Sequence, residues 1–170
     1  LTGSIDEEAA FGSTTLYATS KNIFFAKILS NGTWDWAKFA GSSSDSYGTG
    51  VYINTNGDII FSGLYSNSVF GSISRSGYSY VVSLNSSGTY QWATGFSEVI
   101  NGISPGPNGL IYATGLFWYS NTGYDIEVDV FDGANPDSDT YPSGFDNCPT
   151  IINENQSDYE NDGDGDVCDS

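Results

Sequence analysis

Apolar residues in the first 120 positions come in short runs rich in Tyr, Phe, Ile, Val and Thr, separated by Gly, Asn and Ser. They never recur with the three-to-four-residue spacing of an amphipathic helix, so the pattern predicts short β-strands joined by tight turns. Asn-Gly pairs at Asn56-Gly57 and Asn108-Gly109 fall between such runs. Both central residues of a type I′ turn need positive φ, which Asn and Gly tolerate, so these pairs mark β-hairpins.

The pattern repeats. FFAKILSNGTWDWAKFA (residues 24–40) and YVVSLNSSGTYQWATGF (80–96) share one plan: an apolar strand, a turn at Gly32 or Gly88, then a second strand carrying Trp36 or Trp92 at the same offset. The two glycines lie 56 residues apart. NTNGDIIFSG (54–63) returns as GPNGLIYATG (106–115) at a spacing of 52, and AAFGSTTL (9–16) is echoed by SVFGSISR (68–75). A unit of about 50 residues holding four short strands is the arithmetic of a β-propeller blade.

The string FGSTTL…FFAKILSNGTWDWAKFAGSSSDSYGTGVYINTNGDIIFSG resembles the β-propeller repeats of secreted bacterial proteins. Their blades read F-G-x-x-x-L, F-V/L-A-K-L/I, G-x-W-x-W-A, a D-x-G-x-G stretch and N-G-N/D-I/V-Y/I/F-x-S/T-G. The likeness is close over residues 9–63 and looser to 115, where SEVINGISPGPNG replaces the Gly-Ser-rich link. It implies an all-β domain over residues 1–122, built of antiparallel four-stranded blades, with no catalytic residue in its motifs. Trp34, Trp36 and Trp92 are then expected to pack between blades, the other reading of these rings being a sugar-stacking surface. LTGS at the N-terminus aligns with FSGL (61–64), so the chain is expected to start in mid-blade. Only two to three blades fit before residue 120, whereas closed propellers have about four to eight. The missing strands would come from other parts of a longer chain or from neighbouring subunits, and head-to-tail contacts that do not close give filaments.

Charge divides the chain. Residues 1–120 hold four Lys/Arg and seven acids, whereas the last fifty hold fourteen acids and no Lys or Arg, so −14 of the net −17 lies there. Between the two parts, GYDIEVDVFDG (123–133) alternates Ile126, Val128 and Val130 with Asp125, Glu127 and Asp129, predicting a half-buried edge or connecting strand over residues 123–134. Such acidity argues against nucleic acid and anionic membrane surfaces as partners, which require Lys and Arg, and in favour of cations. No apolar run reaches the roughly 18 to 20 residues that span a bilayer. The start at Leu1 rather than Met is read as processing or as a piece of something longer. Cys148 and Cys168 are the only cysteines. They read as a disulfide closing an acidic loop in an oxidising compartment, the alternative being a reactive thiol or a soft-metal pair, for which His and CxxC are absent. Sequons at Asn31, Asn85 and Asn155 are candidate glycosylation sites and fit an extracellular setting.

DYENDGDGDVCD (158–169) fills the slots of an EF-hand-like calcium loop, whose ligands fall at loop positions 1, 3, 5, 7, 9 and 12 with glycine at 6. Asp158, Glu160, Asp162, Asp164 (through its carbonyl), Asp166 and Asp169 take the ligand positions and Gly163 takes the turn. Upstream, Asn135, Asp137, Asp139, Tyr141 (carbonyl), Ser143 and Asp146 form a weaker version, with Thr140 where glycine is wanted, Pro142 intruding and two neutral donors. Carboxylate and carbonyl oxygens in a flexible loop select Ca²⁺ over zinc, copper or Mg²⁺.

DNCPTIINENQSDYENDGDGDVCD (146–169) closely resembles a thrombospondin type 3 repeat, D-x-D-x-D-G-x-x-D-x-x-D-N-C-P-x-x-x-N-x-x-Q-x-D-x-D-x-D-G-x-G-D-x-C-D, with Glu160 in place of Asp. The resemblance implies a small irregular arm over residues 135–170, wrapped around Ca²⁺ and pinned by a Cys148–Cys168 disulfide. Asn153 would lend its side-chain carbonyl to the upstream loop. Metal binding would then supply the folding energy of a segment with few apolar groups to bury.

Together these readings predict a non-enzymatic, extracellular or cell-surface structural or adhesive module with a calcium-stabilised arm, either part of a large surface chain or a filament subunit that self-associates head to tail. A glycan-binding, lectin-like propeller is the alternative. A secreted hydrolase fragment is disfavoured, because a chain without His or a free thiol leaves only a carboxylate pair to act, and no pair stands out.

Overall fold

A computed structural model describes residues 1–42, 45–65, 67–119, 123–132, 137, 139, 141 and 145–169. Within these residues the chain is all-β. Its strands are β1 (Thr2–Ile5), β2 (Glu8–Phe11), β3 (Thr14–Tyr17), β4 (Asn22–Ile28), β5 (Trp34–Ser42), β6 (Tyr47–Ile53), β7 (Ile59–Leu64), β8 (Ser68–Phe70), β9 (Ile73–Arg75), β10 (Ser79–Leu84), β11 (Tyr90–Phe96), β12 (Val99–Pro105), β13 (Leu110–Tyr119) and β14 (Gly123–Asp132). No helix among the described residues is long and apolar enough to cross a membrane.

Every pairing is antiparallel, and no barrel closes among the described residues. The first sheet runs β1-β4-β5-β8-β9, the second β11-β10-β7-β6 and the third β12-β13-β14, while β2 and β3 form a separate hairpin. The sequence repeat recurs in the hydrogen bonding. The β4–β5 ladder slips between Lys27 and Ile28, and the β10–β11 ladder slips 56 residues on, between Ser83 and Leu84. The β6–β7 slip between Gly48 and Gly50 returns 52 residues on in β12–β13, between Ile100 and Gly102. A bulge inserts one unpaired residue and re-aims the strand, so its recurrence shows that the units share a bend as well as a pattern. Both long hairpins turn at a glycine of positive φ, Gly32 (84°) and Gly88 (78°), where a side chain would be strained.

The N-terminal strand fits the same scheme. Thr2 and Gly3 pair with Phe25 and Phe24, as Ser62 and Gly63 pair with Val81 and Tyr80, so β1 stands to β4 as β7 stands to β10. The third motif folds as an additional hairpin. Its copy β8–β9 extends the first sheet by pairing Val69 and Ser68 with Gly41 and Ser42, instead of adding to the four strands of its own unit.

Three apolar clusters hold the sheets. One joins Ile23, Phe25 and Ala40 of the first sheet to Ile59, Phe61, Tyr80, Val82, Leu84 and Ala93 of the second, with Phe70 and Ile73 of the β8–β9 hairpin wedged among them. A second joins Ile60, Val81, Trp92 and Phe96 of the second sheet to Ile100, Ile111 and Ala113 of the third. Neighbours along β7 therefore serve opposite clusters, Ile59 and Phe61 one way and Ile60 the other, which explains why a strand buried on both faces reads as continuous apolar sequence. A third cluster packs Phe11 and Leu16 of the β2–β3 hairpin on Ala26 and Ala37 of the first sheet. The tryptophans belong to this packing: Trp92 lies in the second cluster, and Trp36 and Trp34 pack against the first and third.

The first cluster carries a polar burden. The hydroxyls of Tyr65 and Tyr90 are buried without a hydrogen-bond partner. Burial pushes the Tyr65 phenol up to about 12 against a partial offset from the Arg75 charge, and it raises Tyr80 and Tyr90 as well. A methyl at Gly95 would collide with the Tyr65 hydroxyl oxygen, so this glycine makes room for the ring.

Residues 123–132, anticipated as an edge or connecting strand, are β14, paired with β13 along its whole length. Val128 and Val130, the apolar side of its alternation, are exposed.

Candidate metal centre

The acidic segment is anchored on the second sheet before its metal chemistry begins. The Phe145 ring meets Phe96 of β11 edge-on, with centroids 5.3 Å apart and planes at 87°, and packs against the cluster between the second and third sheets. The Arg75 guanidinium lies 4.3 Å from the centre of the Tyr141 ring, close enough for cation–π attraction. Arg75 is itself held in place, its Nε donating to the Ala93 carbonyl at 2.6 Å. Tyr141 and Phe145 thus clamp one end of the arm to β9 and β11.

Between and beside these anchors, Asp137, Asp139 and Asp146 bring carboxylate oxygens within 4.8 Å of one another, a group that could hold a metal ion. The local fold is the same at each. Asp137 Oδ1 accepts from the Asp139 N–H (3.2 Å), Asp139 Oδ1 from the Tyr141 N–H (2.7 Å) and Asp146 Oδ1 from the Cys148 N–H (2.8 Å). One oxygen of each thereby closes a turn on the backbone two residues ahead, as Asp side chains commonly do. Asp139 and Asp146 are only 1% and 7% exposed, and the remaining oxygens of Asp137 and Asp146 are buried with no hydrogen-bond partner. Burial raises the Asp139 carboxyl above its ordinary value; hydrogen bonds from the Tyr141 and Asn153 N–H groups work against this, and the charges of Asp146 and Asp137 add to it.

A fourth oxygen points at the same place. The Asn147 N–H can only donate, and it donates to Gln156 Oε1 at 2.9 Å, which fixes Gln156 Nε2 as the donor end of that amide. Nε2 donates to Asp146 Oδ1 at 3.0 Å and to Asn153 Oδ1 at 2.7 Å. The other end of the Asn153 amide donates to Asn147 Oδ1 at 2.6 Å. Turned over, the Asn153 amide would donate to Asp139 Oδ2 (3.2 Å) and Asp146 Oδ1 (3.1 Å) but would set its NH₂ against the Gln156 Nε2 donor at 2.7 Å, so this chain of donors places the carbonyl oxygen toward the two carboxylates. Oxygens without a proton between them repel, so a buried group of three carboxylates and an amide carbonyl is the arrangement a hard cation would stabilise.

The Cys148–Cys168 disulfide is formed, with Cα atoms 5.7 Å apart. Gly165 passes so close to it that a methyl there would come within 2.7 Å of Cys148 Sγ and 2.5 Å of Asn147 Oδ1. The Gly165 N–H donates to the Asn147 carbonyl at 2.8 Å, tying the end of the arm to the Asn147–Gln156 network.

The other proposed ligands lie elsewhere. Asn135 and Ser143 fall outside the described residues. Asp158 accepts from the Gly163 N–H (3.0 Å) and Asp162 from the Asp164 N–H (3.0 Å), while Tyr159 N–H donates to Asp166 Oδ1 (2.8 Å). Gly163 takes the positive φ, 100°, that its turn position calls for. Glu160, Asp162, Asp164, Asp166 and Asp169 are exposed on this turn, and among the described residues no second group of three carboxylates converges. Sequence reasoning by slot therefore missed Phe145 and Gln156 as organisers of the site. The run Asn147, Cys148, Asn153 and Gln156, which carries the family likeness, was the available signal for the latter.

Asn31 and Asn155 are exposed and Asn85 is partly covered. Asn31 Oδ1 accepts from both the backbone and the hydroxyl of Thr33, at 3.0 and 2.7 Å. No protein-family model matches the chain, and no curated protein matches it. The likeness to the two repeat families is carried by the residues quoted above.

Proposed function

We propose that this chain is a non-enzymatic extracellular structural module: a stack of propeller-type blades bearing a thrombospondin type 3-like arm that Ca²⁺ locks against the stack. The three sheets are its blades, one with four strands in the order β11-β10-β7-β6 and two that share the same registers but are incomplete. Self-association through the ends of the stack builds a filament or joins the module to the rest of a surface assembly.

The observation that carries this reading is the buried oxygen cluster. Three carboxylates and the Asn153 carbonyl converge, and two of the carboxylate oxygens have no hydrogen-bond partner. Burying an unpaired carboxylate is costly, and one divalent ion offsets that cost for all three at once. All the donors are oxygens on a chain with little regular structure, which favours Ca²⁺ over Mg²⁺ with its strict octahedron. The ion would be held by Asp137, Asp139, Asp146 and Asn153, beside the Tyr141 and Phe145 anchors. Its mechanical effect is to stiffen the stretch that clamps the arm to β9 and β11. The carboxylates of residues 158–169 supply a second, more exposed loop for another Ca²⁺ ion. The disulfide fits an oxidising compartment.

Limited proteolysis with calcium and with EDTA tests the reading. Residues 137–169 should resist cleavage with calcium and become the first site of attack in EDTA, while strands β4–β11 stay protected in both. Equal resistance of the arm in the two conditions contradicts it.

A further inference from the structure

The sheets of this chain stack with a direction. Ile60, Val81, Trp92 and Phe96 form the face of the second sheet that the third sheet covers, and Ile60 is 1% exposed as a result. Ile23, Phe25 and Ala40 are the corresponding face of the first sheet, covered by the second. The third sheet has such a face too. Tyr112 is the repeat counterpart of Ile60, 52 residues on, and across the β13–β14 ladder Tyr112, Thr114 and Leu116 lie beside Val130, Val128 and Ile126. Here Leu116 is 39% and Val128 58% exposed. The chain beyond β14 runs into the acidic arm, whose Phe145 anchor packs in the cluster on the opposite face of this sheet, with Ile111 and Ala113.

At the other end of the stack, the first sheet carries the β2–β3 hairpin on its outward side. The repeat counterpart of that hairpin, β8–β9, is the element wedged between the first and second sheets, with Phe70 and Ile73 buried there. The first sheet with its hairpin therefore has the form in which, inside this chain, a following sheet meets its predecessor. The outer side of the hairpin presents Tyr17, 66% exposed, across from Glu8.

Resting on the reading of the sheets as stacked blades, we propose that the Tyr112–Leu116 and Val128 face of the third sheet docks the β2–β3 hairpin and first sheet of a second copy of this chain. The contact continues the internal repeat across the subunit boundary. It is heterologous, using different surfaces on the two partners, so each added copy leaves one free face of each kind and growth is open-ended.

Sedimentation velocity of the full chain in calcium tests this, using two variants at exposed positions that leave the cores intact. The Leu116→Asp/Val128→Asp double variant blocks one end and Tyr17→Asp blocks the other. Wild type should grow past a dimer as concentration rises. Each variant alone should stay monomeric at concentrations at least about tenfold above those at which wild type assembles, because a charge is then buried at the centre of the contact. An equimolar mixture of the two should stop at two subunits, since only one productive contact remains. Wild-type growth with variants that grow equally well overturns this face while leaving head-to-tail assembly standing. A mixture that fails to pair overturns the assignment of the hairpin as the second surface. A wild type that stays monomeric at every concentration overturns self-association as a whole, with the face then left to a different partner.

Discussion

Replacing Phe145 with Ala should release the arm from the stack without unfolding the sheets. Phe145 is partly buried and meets Phe96 edge-on at 5.3 Å. Deleting a fully buried Phe costs about 3–5 kcal/mol, so a partly buried ring is worth roughly half of that. An edge-on aromatic pair adds about 0.5–1.5 kcal/mol beyond its area. The docked state should then lose about 2–4 kcal/mol, which raises the undocked population about 30- to 700-fold, since each 1.4 kcal/mol is a factor of ten. Hydrogen exchange read by mass spectrometry resolves the effect by region. The amides of Cys148, Asn153 and Gln156 should exchange faster by that factor, and those of β7 and β10 should be unchanged. If β7 and β10 accelerate as much as the arm, Phe145 is an ordinary member of the global core; if neither region changes, the edge-on contact holds nothing.

Three other substitutions test separate steps. Asp146→Asn keeps an acceptor for the Cys148 N–H but removes one charge from the cluster, so it should weaken calcium binding at least about tenfold and yet make the arm more protease-resistant than wild type in EDTA; a loss in both conditions would mean that the carboxylate serves structure alone. Tyr65→Phe removes a buried hydroxyl that has no partner and should be neutral or stabilising by up to about 1 kcal/mol in a thermal melt at neutral pH. With its phenol raised from 10.0 to about 12 in the fold, Tyr65 stays protonated between those values while the unfolded chain loses the proton, so wild-type stability should fall as pH rises through that window and the variant should fall less steeply. Gly165→Ala should destabilise the arm, because its methyl would meet both Cys148 Sγ and Asn147 Oδ1 at under 3 Å, and thiol titration after mild reductant should show the disulfide opening sooner than in wild type.

Much of the fold was legible because it is local and repeated. The correspondence of LTGS with FSGL, the turns at Gly32 and Gly88, and the shared place of Trp36 and Trp92 are each read from a short local stretch that recurs, and the registers of β1, β4, β7 and β10 reproduce them. Tertiary choices were less visible. Nothing in SVFGSISR says whether that hairpin joins its own sheet or the preceding one, since the pairing of Val69 with Gly41 depends on how two sheets stack. The alternation over residues 123–132 marks a strand but not whether its apolar side is covered, and Val128 and Val130 on that side are exposed. At the metal centre, counting slots ranks loops by donor type along the chain. It favoured residues 158–169, with their full set of acids and their glycine. Convergence depends also on burial, and Asp139 and Asp146 are buried where Phe145, the Cys148–Cys168 clasp and the Asn147–Gln156 network hold the arm against the sheets.

Isothermal titration calorimetry of the metal-stripped full chain with calcium reads directly whether Asp137, Asp139, Asp146 and Asn153 hold a divalent ion. Calcium binding should be saturable, weakened at least about tenfold in Asp146→Asn, and accompanied by recovery of protease resistance over residues 137–169. Calcium heats indistinguishable between wild type and Asp146→Asn, or an arm equally ordered with no calcium bound, would contradict it.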